Sequence, residues 1–385
     1  MAKPRGAISR PSLTSGWAFC SVVFVCARLA LSLVGVVDPG PQPPARLLQV
    51  YGPSVSAAQG SWSGAWTETF RWDAAYYVSI ARVGYRPGDA QIFPGYPLAI
   101  RGIAALVGDE AVAALLVSNL CFLAALTVFF ALTEQELGRP LAKTLVLVFV
   151  AFPTSFFFLA PYSESSFLLA ALLAFWFGRR SRWGAAAVAG VACGLIRSTG
   201  LALMPALLWM AWHDHGRAYV TRSAAVLAPL IGVAAYFAYW YLRASDALLP
   251  FASQQRWHRS AALPPVSFLE GVTTFLRRLH DPIAPYLFID VLAVALATTG
   301  VVLIWRRVDT AYVVYAIGAL ALPLSYPAAE RPLVGMPRYS LVAFPAFWGL
   351  AILIQRRRLL IPWLVGSGLL WVALARAFGS LSPIF

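Results

Sequence analysis

Charge is scarce in this chain. Only 12% of its 385 residues are Asp, Glu, Lys or Arg, and 60% are hydrophobic, whereas soluble globules carry roughly 25% charged residues. That shortage excludes a water-soluble fold. Acidic residues are the rarest class, 16 against 30 basic ones, for a net charge of +14. In a soluble protein such an excess would point to nucleic acid. Here the basic residues stand at the ends of apolar runs, the bias of cytoplasmic loops in membrane proteins, so no nucleic-acid partner is expected. The four cysteines, Cys20, Cys26, Cys121 and Cys193, lie inside apolar runs with no CxxC spacing and no histidine partner, which excludes a disulfide framework or a thiolate metal site. The four histidines show no ligand spacing either. Lysine is limited to Lys3 and Lys143, a usage associated with arginine-rich bacterial proteins.

What is abundant is long apolar sequence. A span needs about 20 apolar residues to cross a hydrocarbon layer of roughly 30 Å. The first run, Trp17 to Val37, exceeds the roughly 7–15 residues of a signal-peptide core and reads as a retained anchor. Lys3, Arg5 and Arg10 ahead of it place the N-terminus in the cytoplasm, which puts the loop 38–92 outside. Further spans are expected near 111–132, 141–160, 163–178, 221–243, 285–305, 310–327, 338–354 and 359–377. The stretch 184–212 is too long for one span and is interrupted at Arg197-Ser198-Thr199-Gly200, so it reads as two helices with an outer break. Segment 93–107, short, with two prolines and Arg101, reads as a juxtamembrane or re-entrant helix, because only then do all later arginine clusters fall on the cytoplasmic side. The fold class is therefore an all-α polytopic bundle of about 11 membrane helices, one domain over 1–385, with amphipathic helices in the first outer loop.

This topology gathers five polar, aromatic-rich breaks on the outer face: Arg71-Trp72-Asp73, Tyr162-Ser163-Glu164, Arg197 to Gly200, Gln254 to Arg259, and Met336 to Tyr339. Reactive groups at a membrane boundary suit a lipid-linked substrate, whose tail stays in the bilayer while its head reaches the loops. Asp73 is the lone carboxylate of its cluster. Tyr77, Ile80 and Ala81 follow at helical spacing, so Asp73 sits at the start of a short amphipathic helix, as a cap or as a catalytic base.

The extended pattern resembles the PIG-V type mannosyltransferases, integral-membrane glycosyltransferases of the GT-C class. The resemblance rests on Trp72-Asp73, Tyr76-Tyr77, Phe93-Pro94-Gly95-Tyr96-Pro97, Tyr162-Ser163-Glu164-Ser165, Arg197-Ser198-Thr199-Gly200, Gln255 with Trp257, and Arg338-Tyr339 with Phe344-Pro345. Gly95 replaces the family's usual bulky residue and Thr199 its frequent Asn, departures that bear on substrate identity. The resemblance implies transfer of mannose from a polyprenyl-phosphate mannose to a hydroxyl of a lipid- or glycan-linked acceptor, outside the membrane and with inversion. It also implies substrate contacts from Trp72, Tyr76, Tyr77, Tyr96, Tyr162, Glu164, Arg197, Gln255, Trp257, Arg338 and Tyr339. The membrane would be a bacterial plasma membrane, or the endoplasmic reticulum in a eukaryote.

An inverting transfer needs one base, for which Asp73 is the candidate, and cations for the departing phosphate, for which Arg338 and Arg197 are placed. Glu164 orients substrate hydroxyls or substitutes as the base. In the alternative reading both arginines pair with Glu164 or Asp290 to hold helices together, and Trp257 is an interfacial aromatic. Arg28 and Arg376 read as structural. No cofactor is expected, and a divalent metal is not favoured, because Ala74-Ala75 follow Asp73 and one carboxylate is a poor Mg²⁺ site. The competing function is a flippase of a lipid-linked sugar, which would build its site from the broken helix at 197–200.

Overall fold

The computed structural model describes residues 14–41, 44–56, 65–66, 69–214, 216, 219–254 and 258–380. Among them the chain is helical: α1 Trp17–Val37, α2 Ala45–Tyr51, α3 Ala74–Val83, α4 Gly95–Val107, α5 Glu110–Leu137, α6 Arg139–Val150, α7 Glu164–Gly178, α8 Trp183–Ile196, α9 Leu203–Trp212, α10 Tyr219–Ala244, α11 Leu249–Ala252, α12 Pro264–Arg277, α13 Ala284–Ile304, α14 Thr310–Leu324, α15 Met336–Tyr339, α16 Pro345–Arg356 and α17 Leu360–Gly379. The chain is an integral membrane protein. Five helices, α1, α5, α10, α13 and α17, are each long and apolar enough to cross a bilayer. The bent pair containing α15 and α16 would make a sixth, and α4, α7, α8, α14 and the 198–212 segment are shorter apolar helices. Lys3, Arg5 and Arg10 lie outside the described residues.

Local chemistry sets the boundaries. The Asp109 carboxylate accepts from Val112 N at 2.9 Å to cap α5, which ends at Gly138, φ +91°. Pro140 then opens α6 in the first turn, where its missing donor costs nothing. The single span expected over 141–160 is not continuous. Pro153 biases Phe152 away from helical geometry, α6 stops at Val150, and a 3-10 turn follows over Ser155–Phe158. Likewise 338–354 is not one straight helix, because Met336–Val342 meets Pro345–Arg356 at 91°, with Pro345 starting the second limb. The break at 197–200 falls between α8 and the 3-10 turn Ser198–Ala202.

Packing relies on close backbone approach, as lipid provides no hydrophobic drive between helices. A Cβ on Gly349 of α16 would stand 2.0 Å from the Gly300 carbonyl oxygen of α13. That contact admits no larger residue.

Interhelical bonds define two ends of the bundle. At one, Ser15 donates to Glu134, Arg179 pairs with Glu136 (2.7 Å) and Asp309 (2.9 Å), and Arg222 donates to the Ala211 carbonyl (3.1 Å). At the other, Arg82 pairs with Glu110 (2.9 Å) and Arg376 with Asp38 (2.6 Å). The 28 residues of α5 separate the two ends by about 42 Å. Arg28 donates to the Leu159 carbonyl at 3.2 Å, a structural role.

Candidate active site

The loop before α3 is built around a buried arginine. Arg71 is 1% exposed, and its Nε and Nη2 donate to the carbonyls of Gly379 (2.8 Å) and Pro41 (3.1 Å). The Tyr162 hydroxyl donates to the Arg71 carbonyl at 2.9 Å, so backbone and side chain are both fixed. Trp72 then takes φ +51°, a left-handed conformation costing a bulky residue about 1 kcal/mol or more, and points its ring outward. The reversal delivers Asp73 to the start of α3. Asp73 holds the N-cap position but its side chain makes no cap hydrogen bond.

Its carboxylate instead meets Arg338, with Nη1 to Oδ2 at 2.7 Å. Arg338 Nε also lies 3.0 Å from Glu164 Oε1, off the hydrogen-bond axis, and Arg197 Nη2 donates to that same oxygen at 2.6 Å. Glu164 is fully buried, as the first residue of α7, where the helix dipole favours a carboxylate. Its Oε2 has no hydrogen-bond partner. The Tyr339 ring lies 5.1 Å from the Arg338 guanidinium carbon and 5.4 Å from that of Arg197. Both arginines thus pair with Glu164, while Asp290 is held by Arg331 at 2.5 and 2.9 Å.

The tyrosines divide into a wall and a backing. Tyr77, one turn after Asp73, faces the same way and lies 3.1 Å from the Ser163 hydroxyl. Burial pushes its phenol up to about 12, so Tyr77 is a hydroxyl and not a base at neutral pH. Tyr96, expected to contact substrate, is instead fully buried behind Tyr77, its ring edge-on at 4.9 Å and its hydroxyl donating to the Ala114 carbonyl at 2.9 Å. Tyr76, also expected as a contact, is rotated about 100° from Tyr77 around α3 and does not reach the cavity wall. Gln255 and Trp257 lie outside the described residues.

These groups form the polar end of a cavity of about 510 Å³, a size suited to a substrate-sized ligand. Trp72, Asp73, Tyr77, Tyr162, Arg197, Arg338 and Tyr339 line it, and Glu164 stands behind the arginines. Residues of all five clusters therefore meet, although they come from α3, α7, the α8–α9 break, the α11–α12 connection and α15. The remaining wall is largely apolar, with Phe237 of α10, Phe251 of α11 and Leu322 of α14. Sequence reasoning missed these and Gln91, and named Arg259 only as part of its cluster, not as a candidate contact. Arg259 closes the cluster Gln254 to Arg259, but nothing in its spacing separates it from Arg256. Among the described residues no three His, Cys, Asp or Glu side chains come together as a metal site.

Gly95 has a packing role that its position in the Phe-Pro-Gly-Tyr-Pro segment does not disclose. A Cβ there would stand 2.6 Å from Ile196 Cγ1 and 2.9 Å from Ile196 N, immediately before Arg197. Gly95→Ala is expected to cost about 1–3 kcal/mol by overpacking and to reduce activity as Arg197 shifts. Gly102→Ala, which meets nothing within 4 Å, is the control. Thermal unfolding in detergent reads the difference, and equal midpoints would remove Gly95 from this account.

No curated protein matches the chain in sequence. Among solved structures, ArnT from Cupriavidus metallidurans, bound to undecaprenyl phosphate, superposes with a TM-score of 0.51 at 14% identity, covering 96% of this chain and 77% of ArnT. The Archaeoglobus fulgidus oligosaccharyltransferase gives a TM-score of 0.45 at 11% identity over 93% of this chain and 53% of its own. The ArnT likeness shows a shared GT-C fold. The family model for mannosyltransferase (PIG-V) matches residues 42–265, more than half the sequence, and the chain belongs to that family.

Proposed function

We propose that the protein is an inverting glycosyltransferase that moves mannose from a polyprenyl-phosphate donor to a hydroxyl of a lipid- or glycan-linked acceptor, with Asp73 as the base. The observation that carries this reading is the Asp73 carboxylate on the cavity wall, unused in capping and 2.7 Å from an arginine. The donor's tail runs along the apolar wall and its phosphate lies at the arginines, in keeping with the polyprenyl phosphate bound by ArnT. The acceptor hydroxyl attacks the anomeric carbon as its proton passes to Asp73. The bond from that carbon to the phosphate oxygen breaks, and the electron pair leaves with the polyprenyl phosphate. Arginines stabilise the departing anion, so no protonating acid is required.

The site end of the bundle faces outward, because the arginine-rich span ends, Arg139, Arg179, Arg222 and Arg356 to Arg358, belong to the other end. A flippase would need a polar route to that end. There Arg179 is locked between Glu136 and Asp309, which favours one-sided chemistry.

The test is transfer by purified protein from radiolabelled polyprenyl-phosphate mannose into a lipid extract of the host, with and without a chelator. A labelled product is expected in both arms, as Asp73 and Glu164 are engaged by arginines and do not assemble an oxygen-rich metal site. A donor that binds but never transfers would favour the flippase. Transfer that stops in chelator and returns with Mg²⁺ or Mn²⁺ would overturn the metal-free mechanism.

A further inference from the structure

Charge around the cavity is not balanced. Asp73, Arg197, Arg259 and Arg338 line it, and Glu164 lies behind. Arg338 is paired with Asp73 and Glu164, and Arg197 with Glu164, so two cations meet two carboxylates. Arg259 is left over. Among the described residues its guanidinium meets only neutral oxygens, with Nη1 donating to the Tyr326 carbonyl at 2.9 Å and Nη2 to the Val334 carbonyl at 3.5 Å.

Its placement is fixed by a short ribbon. Arg259 pairs with Ala328 in an isolated antiparallel bridge, flanked by Ala329 N to His258 O (3.0 Å) and Ser260 N to Pro327 O (3.2 Å). His258 holds φ +50°, so the ribbon is bent ahead of Arg259. A bulky residue in that region is retained only where its surroundings impose it. The result is a preorganised cation on the wall of the cavity that Tyr339, Arg197 and Arg338 also line.

We infer that Arg259 is the primary anchor of the donor phosphate, and that Arg197 and Arg338, already neutralised by Glu164 and Asp73, join it as charge develops on the leaving group. A guanidinium on the cavity wall with no carboxylate partner among the described residues offers a planar fork to phosphate without first breaking an ion pair. Arg338, by contrast, must loosen its hold on Asp73 to reach the phosphate. This assigns initial recognition to the α11–α12 connection and stabilisation of the departing anion to α15 and the α8–α9 break.

The inference rests on the proposed polyprenyl-phosphate donor, and the experiment separates the two. Binding of undecaprenyl phosphate and of uncharged undecaprenol to the full-length protein in detergent is compared for wild type, Arg259→Gln and Arg259→Lys, together with KM and kcat for the donor sugar. Arg259→Gln is expected to weaken undecaprenyl phosphate roughly ten- to a hundredfold, the range of a charge-assisted hydrogen bond, with undecaprenol unaffected. Donor KM is expected to rise more than kcat falls. Arg259→Lys, which keeps the charge and loses the fork, is expected between the two, and it carries the test if the Gln variant does not fold. Unchanged affinity for the phosphate in the variants overturns the assignment of Arg259, as does an equal loss for both lipids, which marks a structural role. Wild type that binds undecaprenol as tightly as undecaprenyl phosphate overturns the donor reading itself.

Discussion

Asp73→Asn is expected to lower transfer by about 10²–10⁴-fold, the usual contribution of a positioned base, while binding of the donor improves. The substitution keeps the shape of the side chain and removes its charge. Arg338, which meets Asp73 Oδ2 at 2.7 Å, is then freed on that side, and one carboxylate faces the three arginines around the cavity. A site with more net positive charge holds a phosphate more tightly. The measurement pairs turnover with undecaprenyl phosphate affinity. A variant with undiminished turnover would eliminate Asp73 as the base and leave Glu164 next in line. A variant that loses donor affinity along with turnover would mean that Asp73 shapes the cavity and does not act on the acceptor.

Replacing Glu164 by leucine is expected to destabilise the protein by about 3–5 kcal/mol, because it leaves Arg197 without any carboxylate and Arg338 with only Asp73. Glu164 is fully inaccessible and Arg197 only 14% exposed, so little solvent screening softens the loss. The sign of a second change separates electrostatics from packing. Adding Arg197→Met to Glu164→Leu removes the orphaned charge and is expected to restore part of the stability, although transfer stays low. Thermal unfolding in detergent reads both. A single variant as stable as the wild type would show that the pair contributes nothing, and a double variant worse than the single would assign the loss to packing.

Much of this site was legible because its residues break the apolar pattern. Arg197-Ser198-Thr199-Gly200 interrupts a run too long for one span, and the structure turns there. Asp73 stands alone in an aromatic loop, and the structure directs it into the cavity. What stayed hidden depended on contacts between distant segments. Arg338 meets Asp73 across 265 positions, and the choice of Glu164 over Asp290 as partner depends on Arg331 occupying Asp290. Tyr96 shares a motif with cavity residues but turns its hydroxyl to Ser118 (2.6 Å), a difference of facing that spacing within a proline-flanked segment does not reveal. The interruption of 141–160 follows from Pro153, whose effect is masked by the surrounding Phe-rich sequence.

The Arg71 anchor also governs when the protein becomes competent during synthesis. Its Nε grips the carbonyl of Gly379, 308 residues later in the chain, and Arg376 of the same helix pairs with Asp38. At about 5–20 residues per second, a ribosome needs on the order of 15–60 s between the two. Over that interval the segment bearing Asp73 has its Pro41 and Tyr162 contacts but lacks the one to Gly379. A truncation removing α17 is therefore expected to lower activity even though the residues of the cavity remain.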